Sequence, residues 1–273
     1  FLIAMRKTIY TFIVTAVAVA FTACSNVDDD ERFEYVQPAD VNRCVLIEDY
    51  TGQMCVNCPK AAPIIEQLHE TYGDNVIAVG IHGGQLSLAD GTNGLVGLRT
   101  DDGEKYYENV GKPAQPSGRV NRKGSPVSID LWTSLVQSEI TMVPPLSLDL
   151  TAAYDDATRT VTVNVNSLGI HGFVGKLQLW FVEDNIVGPQ MMPDGSANFE
   201  YVHNHVLRGS INGTWGEQFD VPMGAEKSVS RTATLDSKWK SEDTYIVAFV
   251  YNDNGVQQAA KIPVVAKSTE TEE

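Results

Sequence analysis

The chain is short of positive charge and of cysteine, and each shortage excludes something. Only 20 lysines and arginines stand against 35 acidic side chains, for a formal charge of −15. A surface of that sign repels nucleic acid and anionic lipid headgroups, so nucleic acid is not expected as a partner. There are 4 cysteines in 273 residues. No second Cys-x-x-Cys or close histidine pair accompanies Cys55 and Cys58, so a zinc site built on them would lack its other half. Gly91, Gly94 and Gly97 lie in a glycine-rich stretch, but no Gly-Lys-Ser/Thr ending makes them a phosphate loop. Long apolar runs are missing too, the stretch from Ile9 to Phe21 being shorter than the ~20 residues of a membrane-spanning helix. No cofactor and no metal are therefore expected.

What is present begins with an address. Arg6 and Lys7 precede the apolar stretch, and Thr22-Ala23-Cys24 follows it, the layout of a secretory signal over residues 1–23. Phe21-Thr22-Ala23-Cys24 resembles the lipobox of bacterial lipoproteins, which implies that Cys24 is lipidated and tethers the protein to a membrane. Residues 24–40 include the acidic run Asp28-Asp29-Asp30-Glu31 and are too hydrophilic to pack, so they read as a solvated tether. An acidic run in this place also resembles the surface-export signal of Bacteroidetes lipoproteins.

A first domain is expected over residues 41–142. Cys44 to Ile47 signals a buried strand, and the turn to Cys55-Val56-Asn57-Cys58 leads into a helical pattern, Ala62, Ile65, Leu68 and Tyr72, stopped by Gly73. Pro63 falls inside that pattern and is expected to bend it. Asn75 to Ile81 is a second buried strand, which makes a strand–helix–strand crossover. Helices are expected from about Asp102 to Val110 and from Asp130 to Ile140, and the glycine-rich insertion after His82 reads as a loop near the cysteine turn. A thiol at a helix N-terminus is stabilised as thiolate by the free amides there, which is how such pairs become nucleophilic. Cys44 reads as a buried small hydrophobe rather than a third redox partner.

The Cys-x-x-Cys at a strand-to-helix turn, with Pro63 five positions after Cys58, resembles thioredoxin. That resemblance implies a buried acid serving the second cysteine, for which Asp49 stands ahead of Glu48. It also implies a cis-proline facing the disulfide, for which Pro116 stands ahead of Pro113. Met54 and Val56-Asn57 depart from the thioredoxin pattern, so redox direction does not carry over.

A second, all-β domain is expected over residues 143–267. Leu146, Leu148 and Leu150 alternate with polar residues, as do Val161, Val163 and Val165. Further strands are expected at Lys176 to Val182, Phe199 to Leu207, Ser228 to Leu235, Tyr245 to Asn252 and Val256 to Val264. This series implies an immunoglobulin-like sandwich. His203 and His205 would share one face of the fourth strand, yet no third metal ligand stands out near them. Trp180, Trp215 and Trp239 read as core or interface residues, and residues 268–273 as a disordered tail.

Taken together, Glu48-Asp49-Tyr50-Thr51-Gly52, Cys55-Val56-Asn57-Cys58-Pro59 and His203-Asn204-His205-Val206-Leu207-Arg208 resemble the outer membrane lipoprotein family of about twenty-eight kilodaltons from Bacteroidetes. The resemblance implies a lipid-anchored outer-membrane protein, on the periplasmic or the cell-surface side, with a thioredoxin-like domain followed by a β-sandwich. The expected activity is thiol–disulfide exchange on envelope proteins. Cys55 would be the exposed attacking thiolate, Cys58 the resolving thiol, Asp49 the proton acceptor and Pro116 the backbone edge that docks substrate. The competing expectation is a surface-binding or adhesion lipoprotein in which Cys55–Cys58 is only a structural disulfide.

Overall fold

Strand β1 (Val45–Thr51) is almost wholly buried, and the fold grows outward from it. The computed structural model describes residues 42–266. The expected signal, the lipid site at Cys24, the acidic tether and the C-terminal tail lie outside that range. Beyond β1 and the cysteine turn, a single turn of 3-10 helix (Cys58–Ala61) runs into α1 (Ala62–Tyr72), which leads to β2 (Val76–His82). β1 and β2 are parallel, in register from Val45–Val76 to Thr51–His82. Pro63 does not bend the helix as expected. It sits in the first turn of α1, where an amide has no acceptor within the helix and proline costs nothing.

Two more helices and an antiparallel strand complete this part: α2 (Asp101–Asn109), β3 (Ser117–Val120) and α3 (Trp132–Ile140). The Thr100 hydroxyl caps α2 by accepting from the Gly103 amide at 3.0 Å. β3 lies along the other edge of β1, with Ser117 opposite Tyr50. Ile65 and Leu68 of α1 and Trp132 and Val136 of α3 pack on Val45, Ile47 and Ala78, covering one face of the sheet.

The rest of the described residues are mainly strands: β4 (Asp149–Asp155), β5 (Thr160–Leu168), β6 (Lys176–Glu183), β7 (Ile186–Met191), β8 (Ala197–His203), β9 (Val206–Ser210), β10 (Glu217–Gln218), β11 (Glu226–Thr234), β12 (Thr244–Asn252) and β13 (Gly255–Pro263). They do not close a separate sandwich. β9 pairs parallel with β2 at Gly80–Val206 and antiparallel with β6, so one sheet runs in the order β13-β12-β6-β9-β2-β1-β3, with β10 added on β6. The two expected domains, 41–142 and 143–267, thus share a sheet. A free-standing immunoglobulin-like sandwich is replaced by a three-stranded sheet, β11-β5-β4, packed on one face of the shared one. The alternating Val161, Val163 and Val165 of β5 meet Leu177, Leu179 and Phe181 of β6 there.

The opposite face of the shared sheet has a continuous apolar layer that crosses the expected boundary. Leu46, Tyr50, Ile77 and Val79 belong to the same cluster as Trp180, Val182, Val247 and Phe249, and Tyr106 of α2 covers it. The Trp180 indole donates to the Tyr106 hydroxyl at 2.9 Å. Trp180 is core as expected, whereas Trp215 is partly exposed.

The strand expected from Phe199 to Leu207 is two strands. His205 has φ +59° and Asn204-His205 turns the chain between β8 and β9. β7 has no strand signal in the sequence because Gly188 and Pro189 interrupt it, and proline is confined to strand edges. β7 and β8 form a two-stranded hairpin of their own, and its position decides the character of the site.

Candidate functional site

Cys55 and Cys58 are joined as a disulfide, with Cα atoms 5.4 Å apart. The turn that holds them is short because the Cys55 amide donates to the Gly52 carbonyl and the Cys58 amide to the Cys55 carbonyl. Cys58 opens the helical turn that runs into α1, with Pro59 behind it. Cys55 is not the exposed thiol expected. It is only 4% accessible, while its neighbours Met54 and Val56 are turned out to solvent.

Two segments cover it. The glycine-rich insertion lies against the turn, where the Met54 amide donates to the Leu86 carbonyl at 2.8 Å. A Cβ on Gly52 would fall 2.6 Å from that same carbonyl, so only glycine permits the approach. The β7–β8 hairpin comes from the other side. The Met191 amide donates to the Gln53 carbonyl at 2.8 Å, and the Gln190 amide nitrogen Nε2 donates to the Cys55 carbonyl at 3.0 Å. Gln53 is fully buried between the two covers, donating through Nε2 to the carbonyls of Val96 and Pro189 and accepting from the Leu98 amide. Gln53 and Gln190 carried no sequence signal, since glutamine marks neither strand nor catalysis.

Asp49 and Glu48 are both buried, on opposite faces of β1. Glu48 points into the layer with Tyr50 and pairs with the Arg122 guanidinium at 2.6 Å. Asp49 is on the face toward α1 and lines a cleft of about 410 Å³ together with Cys58. Its Oδ1 has no hydrogen-bond partner among the described residues, and burial pushes its pKa up to about 7. Opposite Asp49 in the β1–β2 register is Gly80, which has no side chain to fill the space.

Four histidines line the same cleft: His69, His82, His203 and His205. The rings of His82 and His203 meet edge to face at 5.9 Å, and those of His69 and His205 at 5.3 Å. His203 and His205 therefore do not act as a pair; each faces a histidine from elsewhere in the chain. Burial lowers the pKa of His203 to about 4 and drives His82 well below the ordinary range, with the neighbouring His203 and Arg208 adding to the effect on His82. Among the described residues no three His, Cys, Asp or Glu side chains are placed to hold a metal ion. Asp184 lies 3.3 Å from His205 Nδ1 and 3.7 Å from Lys261 Nζ.

The Gln115–Pro116 peptide bond is cis and leads directly into β3, one step beyond the Tyr50–Ser117 pair. Pro113 follows a trans bond. Cys44 forms no disulfide among the described residues and sits at the opposite end of β1 from the Cys55–Cys58 bridge, roughly 20 Å of extended strand away. Burial and the nearby Asp74 push its thiol up to about 11, which leaves it inert.

The model of the outer membrane protein Omp28 family matches residues 103–269. The chain belongs to the Omp28 family. Its location is accordingly the outer membrane. Among the described residues no helix is long and apolar enough to cross a membrane. The fold of this Omp28 chain is similar to that of HBP35 of Porphyromonas gingivalis, with a TM-score of 0.66 at 19% identity over 85% of this chain and 79% of that one. A domain of the outer membrane lipoprotein Omp28 from Porphyromonas gingivalis is 25% identical over 46% of this chain and 93% of its own, with a TM-score of 0.34. No curated protein matches the chain.

Proposed function

We propose that this Omp28 protein carries out thiol–disulfide exchange on envelope proteins while anchored to the outer membrane through a lipid on Cys24. One observation carries the redox reading: Cys58 of the disulfide lines one cleft with Asp49, whose Oδ1 has no hydrogen-bond partner among the described residues. In the oxidised protein a client thiolate attacks Cys55 Sγ. The Cys55–Cys58 bond breaks, Cys58 leaves as thiolate and takes the proton of the Asp49 carboxylic acid. A second client thiolate then attacks the client sulfur of the mixed disulfide, Cys55 leaves, and two electrons have passed to the Cys55 and Cys58 pair. Run backwards, the reduced pair cleaves a client disulfide and Asp49 accepts the proton of Cys58. A carboxyl titrating near neutrality serves either direction. Pro116, from its resemblance to the cis-proline of thioredoxin, supplies a backbone edge for the client.

The burial of Cys55 beneath Gln190 favours a second reading, a surface-binding lipoprotein in which the bridge is static. The reduction potential of the pair separates the two, read by alkylation and mass spectrometry. Exchange requires a value between about −270 and −120 mV, whereas a value below about −300 mV marks a structural bridge. Cys58→Ser is expected to accumulate client proteins covalently bound through Cys55. A variant that traps nothing would count against exchange.

A further inference from the structure

The cleft beside Cys58 is rich in polar atoms that the protein leaves unused. Asp49 Oδ1, His82 Nδ1, His203 Nε2 and His69 Nε2 are all buried and lack a hydrogen-bond partner among the described residues, and all four residues line it. Buried polar groups are nearly always paired, so four orphans in one cleft indicate a polar guest.

One wall of the cleft is a strand edge. Tyr201, Val202 and His203 line it consecutively. Successive side chains of a strand point to opposite faces, so a run of neighbours fronting one cleft means that the strand presents its backbone. β8 pairs with β7 alone, and its other edge has no strand beside it among the described residues. Glu200 is not available for pairing, because its amide already donates to Asn198 Oδ1 at 2.9 Å. Tyr201 to His203 is the open stretch. Exposed apolar side chains flank it, Phe199 and Val202 on the hairpin and Met54 and Val56 on the cysteine turn.

The facing wall, on α1, has Glu66 and Glu70, which have no ion-pair partner among the described residues. His82 and His203 are neutral near pH 7, since burial lowers both. The cleft is thus net negative around an open strand edge.

We propose that Tyr201–His203 of β8 is a docking edge for an extended polypeptide. A client segment would add as a third strand to the β7–β8 hairpin, with lysine or arginine side chains toward Glu66 and Glu70 and its cysteine delivered to the Cys55–Cys58 turn. This names the substrate class of the exchange reaction proposed above and rests on that reading for its chemistry, but the docking itself can be tested without it. Strand addition fixes a client by its backbone, so it selects for extended, positively flanked cysteines rather than for one sequence.

The test uses the full-length protein and a nine-residue fluorescein-labelled peptide with a central serine in place of cysteine and lysines on either side. Binding to the oxidised protein is followed by anisotropy, with the peptide unmodified, N-methylated at its odd amides, or N-methylated at its even amides. An added strand bonds through alternate amides only, so one methylation pattern is expected to weaken binding at least tenfold and the other to leave it within about twofold. Glu66→Lys with Glu70→Lys is expected to weaken the unmodified peptide by a similar factor. Equal binding of both methylated peptides, or no binding of the unmodified one, overturns the docking edge. In parallel, the reduced wild-type protein is assayed with a small aromatic disulfide, which needs no docking. Reduction of that probe without any methylation pattern sinks the docking edge and spares exchange. A methylation pattern without reduction does the reverse.

Discussion

Asp49 and His203 pull the pH dependence of stability in opposite directions. Asp49 titrates near 7 in the folded protein against an ordinary 3.8, so between those values the folded state holds a proton that the unfolded state has released. Stability from this group is therefore full below about pH 4 and is lost as pH rises toward 7, by about 4 kcal/mol at most. His203 titrates near 4 against 6.5, so its contribution is present above 6.5 and is lost on acidification. In the wild-type protein the two partly offset each other between pH 4 and 6.5. Asp49→Asn removes one of them. Urea denaturation is expected to show the variant more stable than wild type at pH 8, with the gap shrinking to about 1 kcal/mol at pH 4.5. A gap that does not vary with pH would mean that Asp49 is not held protonated by burial.

At the scale of elements, the β7–β8 hairpin decides how reachable the disulfide is. Gln190 joins it to the cysteine turn through the Cys55 carbonyl and also donates to the Met191 carbonyl, both at 3.0 Å. Gln190→Ala removes those bonds and opens space above Cys55. The expected cost is about 1–2 kcal/mol of stability. Reduction of Cys55–Cys58 by dithiothreitol is expected to quicken several-fold, measured by quenching with acid and alkylating. An unchanged rate would show that the hairpin is not what shields the bond. The insertion is held differently, by contact between the Leu86 carbonyl and a turn that only Gly52 allows.

Over the whole molecule, the shared sheet makes the two halves depend on each other. β2 would lose its β9 partner without the second half, and Leu46, Ile77 and Val79 would lose Trp180, Val247 and Phe249. The Arg122 guanidinium, paired with Glu48, lies 4.6 Å from the Phe249 ring and 5.3 Å from that of Trp180, so a buried charge from the first half is enclosed by rings from the second. Residues 41–142 and 143–266 expressed separately are each expected to lack a cooperative thermal transition. The intact chain is expected to unfold once, with circular dichroism and tryptophan fluorescence superimposed. A sharp transition in either fragment would show that the halves fold independently.

What the sequence determined by itself was local. The Cys-x-x-Cys spacing, the apolar runs of β1 and β2 and the alternation of β5 are patterns within a few residues, and each follows from strand or helix periodicity. Even the choice between Asp49 and Glu48 was nearly local, since neighbours on a strand must face opposite ways and only the face had to be decided. The covering of Cys55 was not legible, because Gln53 reaches the Pro189 carbonyl across 136 residues of chain and Gln190 the Cys55 carbonyl across 135. The histidine cleft was half legible: His203 and His205 stood out by spacing, while His69 and His82 come from a helix and a strand far away in sequence. The single sheet was invisible for the same reason, as the β2–β9 contact rests on one paired residue, Gly80 with Val206. Hydrophobic pattern tells a strand which face to bury, but not which strand will lie beside it. That is set by the packing of the whole chain.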